Sequence, residues 1–132
     1  PLLGAMRSAG AGHVVSVGSA GMSLPGPGWS AYVATKAGLD GWLRSVAPEL
    51  RPHGVAVTSI HLPLTRTAMS APTYTGSRLP ALSADDAASW VCRAVLTRPR
   101  VVAPWWSRVG GVMTQALPGT TDRLAGALWR RS

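Results

Sequence analysis

The sequence is short of cysteine, of acidic residues and of lysine, and each shortage narrows what the chain can be. One cysteine in 132 residues rules out an internal disulfide framework and any multi-cysteine metal site, and it fits a reducing compartment. Five acids oppose 13 basic residues, leaving a formal charge of +8. No stretch approaches the roughly eighteen consecutive apolar residues of a membrane span. No basic segment leads into an apolar run in the manner of a signal peptide, and a cytoplasmic location is expected. What is present, 46% hydrophobic and 14% charged residues, suits one packed core, and the length leaves no room for a second substantial domain. Fifteen glycines and 11 prolines without a G-X-Y period mean many loops. The chain begins at Pro1, and the expectation is a piece of a longer protein.

A basic balance raises two partner classes, nucleic acid and an anionic membrane surface. The basic residues are scattered from Arg7 to Arg131, and the longest run is Arg130-Arg131. No alternation with aromatics builds a stacking platform, so no nucleic-acid partner is expected. Trp105, Trp106 and Trp129 with nearby arginines could form a membrane-surface patch. The favoured reading is a C-terminal helix packing on the core or on a dimer partner.

Hydrophobic patterning alternates between two periods. Pro1 to about Arg7 reads as a helix end closed by Ser8–Gly12, and His13–Val17 as a buried strand. Gly18–Gly28 is turn-rich. Ser30 opens a helix to about Leu50, with Val33, Ala37, Trp42, Leu43, Val46 and Leu50 on a helical period and Pro48 near its end. A turn over Arg51–Gly54 leads into a second apolar strand, Val55–Ile60. Two such strands joined by a helix make a βαβ unit, hence a parallel sheet covered on both faces. Leu62–Leu82 is irregular and long enough for a functional loop. Ser83–Asp86 resembles a capping box opening a helix to about Leu96, and Arg100–Ala103 reads as a third strand. Trp105–Trp129 is weakly helical, interrupted at Gly110-Gly111 and at Pro118-Gly119. The class is α/β.

The strongest chemical signal is Tyr32-Val-Ala-Thr-Lys36. Residues four apart share one helix face, and an ammonium beside a phenol favours the phenolate, as acid/base work by tyrosine requires. Lys36 is the only lysine against twelve arginines, which points to a site that wants a compact three-donor cation rather than a planar guanidinium. The spacing by itself also fits a solvated lysine beside a packed tyrosine. Ser19, thirteen residues before Tyr32, follows the first strand, at the end where ligands bind in open α/β sheets. His13, His53 and His61 lack metal-ligand spacing and read as surface or packing residues, so no metal site is expected. Cys92 reads as a small buried hydrophobe. Gly10-Ala-Gly12 precedes a strand and lacks a third glycine, so it is no dinucleotide fingerprint.

Val15-Ser-Val-Gly-Ser19, Pro25-Gly26, Tyr32-Val-Ala-Thr-Lys36-Ala-Gly-Leu39, Glu49–Val57 and Pro63-Leu-Thr-Arg-Thr67-Ala-Met69 together resemble the short-chain dehydrogenase/reductase family, over about the first seventy residues. His61–Thr67, Ala71-Pro72 and Leu82–Ala88 are similar to a bacterial subgroup associated with fatty acyl or other lipid substrates. The resemblance implies the C-terminal portion of a doubly wound, parallel-sheet Rossmann-type fold, with residues 1–70 as catalytic core segment and 71–132 as substrate loop and C-terminal helices. It implies NAD or NADP as cofactor, a small-molecule carbonyl/alcohol substrate and a homo-oligomer at full length. By the same resemblance Tyr32 is the general acid/base, Lys36 assists it and binds the nicotinamide ribose, and Ser19 polarises the reacting oxygen, with Ser16 as a second choice. Pro63 and Thr67 would lie against the nicotinamide.

The family's proline–glycine pair is here Pro63-Leu64, and Thr67 stands four places beyond the proline instead of five. The glycine-rich phosphate loop, the ribose-binding acid, the Asn-Asn-Ala-Gly stretch and the helix asparagine are not in these 132 residues, so the chain alone is expected to be inactive. The rival readings are a non-catalytic remnant and a basic interaction module.

Overall fold

The computed structural model describes residues 1–74 and 79–130. Helix α1 (Leu2–Ala9) ends on Gly10, whose left-handed backbone (φ 64°) caps it. Strand β1 (Gly12–Ser19) follows, then a single 3-10 turn, Ala20–Ser23. Helix α2 (Ser30–Leu50) returns the chain to the turn Arg51–His53 and to β2 (Val55–Leu62). Beyond lie α3 (Ala71–Tyr74), α4 (Ala84–Thr97), the two-residue β3 (Val101–Val102), α5 (Trp105–Ala116) and α6 (Pro118–Trp129).

The three strands form one parallel sheet in the order β1-β2-β3. As the central strand, β2 buries Val55, Val57, Thr58, Ser59 and Ile60 in near-continuous sequence, which is why it reads as a largely apolar run broken only by two small hydroxyl residues. Leu43 and Leu50 of α2 pack on Val55 and Val57, with Leu3, Met6, Val14 and Val46 around them. Each fully buried leucine contributes about 1.5–3 kcal/mol. Helix α4, whose buried residues are Ala87 and Ala94, also packs on β1 and β2. A polar relay crosses the sheet: the Nε2–H of His13 donates to the Thr58 hydroxyl at 2.8 Å, and Thr58 donates to the Pro99 carbonyl. Burial, and secondarily the Arg98 guanidinium, pushes the His13 pKa down and keeps the ring neutral in that role.

Several expectations are corrected. The first strand is only half-buried, and Val17 is 45% exposed, because β1 pairs on one side alone. Trp42 points outward although it falls on the apolar period. Cys92 is exposed, since α4 turns its two alanines inward instead. Gly110-Gly111 does not interrupt α5. A Cβ on Gly110 would lie 2.5 Å from Leu24 Cδ2, and one on Gly111 would lie 3.2 Å from Ser23 Cβ, so the pair admits the loop after β1 against the helix. Proline 118 starts α6 at a position where its missing N–H is harmless. Pro48 lies inside α2 without ending it.

The capping box at α4 is as expected. Ser83 Oγ accepts from the Asp86 N–H at 3.0 Å, and Asp86 Oδ2 accepts from the Ser83 N–H at 3.4 Å. Replacing Ser83 by alanine is expected to lower stability by about 1 kcal/mol, measured as a shift in the urea midpoint at constant slope.

Candidate active site

Parallel strands deliver their connections to the same sheet edge, and here the carboxyl ends of β1 and β2 meet in register, Ser19 opposite Leu62. Ser19 is the last residue of β1, and its Oγ accepts from the Gly21 N–H at 3.2 Å, which holds the hydroxyl at the mouth of the turn. Ser16 lies within the ladder opposite Ser59, away from that mouth. The 3-10 turn packs against α2, whose first two turns carry Tyr32 and Lys36.

Tyr32 is 42% exposed, and the Lys36 Nζ lies 6.0 Å from its ring centroid. Lys36 forms no ion pair among the described residues. Trp29 meets the Tyr32 ring edge-on, with centroids 5.8 Å apart and planes at 77°, and stacks on Tyr74 at 6.3 Å and 8°. Trp129 of α6, itself 57% exposed, approaches Gly28, with ring carbons 3.0 and 3.3 Å from where a Cβ there would stand. Gly28 has a left-handed backbone (φ 79°), so glycine is required there twice over. Trp105 and Trp106 are exposed as well, and α6 buries no residue, so the expected packing of a C-terminal helix on the core is corrected.

After β2 the chain turns at Pro63. The Leu82 N–H donates to the Leu64 carbonyl at 2.8 Å and the Arg66 N–H to the Leu82 carbonyl at 2.9 Å, so Thr65 and Leu82 form a parallel bridge. The Thr67 hydroxyl accepts from the Ser70 N–H at 3.2 Å and lies 3.3 Å from the Ser70 hydroxyl, closing the turn that leads into α3. Leu64–Thr67, Ser70, Ala71, Tyr74, Leu79 and Ala81 line a cleft of about 240 Å³. A second cleft, about 440 Å³, lies at the amino end of β2 among Arg51, Arg98 and Arg100 and holds none of the candidate site residues.

The structure thus brings Tyr32 and Lys36 onto one helix face, sets Ser19 beside the start of the Pro63–Thr67 loop, and joins the two through the packed turn. Two features escaped the sequence. The aromatic contacts of Trp29 depend on a fold-back of Tyr74 across more than forty residues. The bond between Asp40 and His61 joins residues 21 apart with no local pattern, although Asp40 continues the i, i+4 series of Tyr32 and Lys36.

Comparison with known proteins agrees with this architecture. Residues 2–77 match the family model described as short chain dehydrogenase. A fatty acyl-CoA reductase of Mycobacterium tuberculosis is 39% identical over 127 residues, covering 96% of this chain and 42% of that protein. A fatty acyl-CoA reductase of Acinetobacter baylyi is 34% identical over 113 residues, covering 86% of this chain and 38% of that protein. The chain therefore spans about two fifths of the length of these relatives. A short chain dehydrogenase of Burkholderia cenocepacia, crystallised in complex with NADP, superposes with a TM-score of 0.73 at 20% identity, covering 92% of this chain and 50% of that one. With more than half of its residues matched by that model and its fold shared with that structure, the chain belongs to the short-chain dehydrogenase family.

Proposed function

We propose that this chain carries the proton-transfer half of an NAD(P)-dependent oxidoreductase that interconverts a carbonyl and an alcohol on a lipid-like, fatty acyl substrate. The observation that carries the reading is the pairing of Tyr32 with Lys36 on one face of α2, packed on the turn that follows Ser19. The donor set fits the nicotinamide-ribose end of such a cofactor: a phenol and a partly buried ammonium without a carboxylate partner among the described residues, beside the loop that begins at Pro63. A bound nicotinamide cofactor supplies or accepts the hydride.

The remaining chemistry belongs to the chain. Ser19 donates a hydrogen bond to the substrate oxygen and orients it. Tyr32 gives that oxygen its proton in reduction and takes it back in oxidation. The Lys36 ammonium stabilises the negative charge left on the phenol oxygen and would donate to the ribose hydroxyls of a bound cofactor. Pro63 and Thr67 would hold its nicotinamide. The cleft beyond, lined by Leu64, Ala71, Tyr74, Leu79 and Ala81, offers an apolar surface to a hydrocarbon chain, in keeping with the fatty acyl-CoA reductases to which the chain is similar.

The test is turnover by the full-length protein, followed as loss of NADPH and, separately, of NADH absorbance with hexadecanoyl-CoA, hexadecanal and their two-carbon analogues. Hydride transfer with a long-chain preference of at least about tenfold in kcat/KM, the worth of a few buried methylenes, is expected. No transfer to any carbonyl overturns the assignment.

A further inference from the structure

Helix α2 stacks Tyr32, Lys36 and Asp40 at four-residue intervals on one face. The first two belong to the candidate site, and the third reaches the sheet. Asp40 Oδ1 accepts from the His61 Nε2–H at 3.2 Å, and Asp40 Oδ2 forms an ion pair with the Arg44 guanidinium, 3.3 Å from its Nε. Both contacts converge on one carboxylate. The Asp40 and His61 side chains are only 13% and 12% exposed, against 66% for Arg44, so the bond to His61 is the sheltered one. His61 is the next-to-last residue of β2, opposite Gly18 in the ladder and two residues before Pro63. The apolar contacts of α2 with β2 sit at the far end of the strand, on Val55 and Val57.

We propose that Asp40 and His61 are a positioning pair, which fixes the Tyr32–Lys36 face of α2 against the strand end that launches the Pro63–Thr67 loop. The inference rests on the carbonyl-reducing reading above. Its logic is geometric. Proton donor and cofactor wall lie on different elements, and displacement of about 1 Å between reacting groups can lower a rate about 10²-fold. A greasy contact would hold the two elements together but leave them free to slide, whereas a directional bond sets one register. A single hydrogen bond adds only about 0.5–1.5 kcal/mol of net stability, whereas its direction fixes a register, which favours positioning as its use.

The test compares full-length Asp40→Ala, His61→Ala, the double variant and His61→Gln, whose amide N–H can still donate to Asp40. Steady-state kinetics with NADPH and hexadecanal are expressed per NADPH-binding site, counted by fluorescence titration. Each alanine variant is expected to lower kcat about 10–100-fold while KM for NADPH moves less than about threefold. The double variant is expected to be no slower than the worse single one, because the two residues act as one unit, and His61→Gln should regain most of kcat. A fall in melting temperature with kcat per site unchanged overturns the proposal, as does additivity of the two losses. Where the alanine variants do not fold, Asp40→Leu, which keeps the bulk of the side chain but has no acceptor for the His61 N–H, decides. Lower kcat at unchanged KM supports the pair, and unchanged kcat overturns it. Absence of hydride transfer by the parent protein overturns the functional reading and takes the pair with it, whereas parent activity with unaffected variants overturns the pair alone.

Discussion

Tyr32→Phe in the full-length protein is expected to lower kcat by about 10²–10⁴-fold, the usual contribution of a positioned acid/base, while the Kd for NADPH stays within about threefold of the parent value. The substitution is unusually clean in this fold. Phenylalanine keeps the ring that meets Trp29 edge-on at 5.8 Å and keeps the face toward the Lys36 ammonium at 6.0 Å. The Tyr32 backbone carbonyl, which accepts from the Thr35 hydroxyl at 2.8 Å, is untouched. Only the phenolic oxygen is lost, so the packing of α2 and its lysine are retained. Single-turnover reduction and equilibrium binding, measured on the same preparation, separate the two effects. A variant that reduces its substrate at a near-normal rate would remove Tyr32 from the chemistry.

Gly54→Ala is expected to be the most damaging substitution for folding. Gly54 links the turn Arg51–His53 to β2 with φ at 69°, a left-handed conformation that opposes any side chain by about 1–2 kcal/mol. A Cβ there would also collide with the carbonyl oxygen of Gly10. That atom is backbone, in the cap that closes α1, so it cannot swing aside as a flexible side chain would. Overpacking of this kind adds about 1–3 kcal/mol. Because Gly12 pairs with Val55, any shift at Gly54 propagates into the first pair of the ladder. Guanidinium unfolding should report a loss of about 2–5 kcal/mol, and soluble protein with a parental midpoint would contradict the backbone contact.

What could be read without coordinates was whatever is encoded locally or carried by an ordered motif. The Ser83 capping box is complete within four residues, and the Tyr32–Lys36 spacing needs only the helical period, so both are found where the sequence puts them. Helix α2 runs through Pro48 to Leu50 as expected, because burial of Leu43 and Leu50 outweighs one missing backbone bond near its end. Ser30, expected as its N-cap, is instead its first helical residue, and Trp29 stands at the cap without a side-chain bond. Burial was harder to read. A run such as Val14-Val15 looks the same in a central and in an edge strand, and only the pairing order makes β1 half-exposed. Gly110-Gly111 looked like a break because the contact with Leu24 and Ser23 that asks for small residues comes from more than eighty residues away. The site was legible as a list of groups, whereas the partners that hold them, Trp29 with Tyr74 and Asp40 with His61, exist only once distant segments meet. The irregular segment likewise contains one short helix, α3, and one bridge that no local period announces.

That bridge between Thr65 and Leu82 makes the segment it closes an exchangeable cassette. Its two ends are clamped side by side by backbone bonds that use no particular side chain, so the intervening chain can be grafted, lengthened or trimmed without disturbing the clamp. Doubling a flexible loop adds only about 0.6 kcal/mol of closure entropy. Changes within the cassette can therefore reshape the cleft it lines while Ser19, Tyr32 and Lys36, which lie outside it, stay in place.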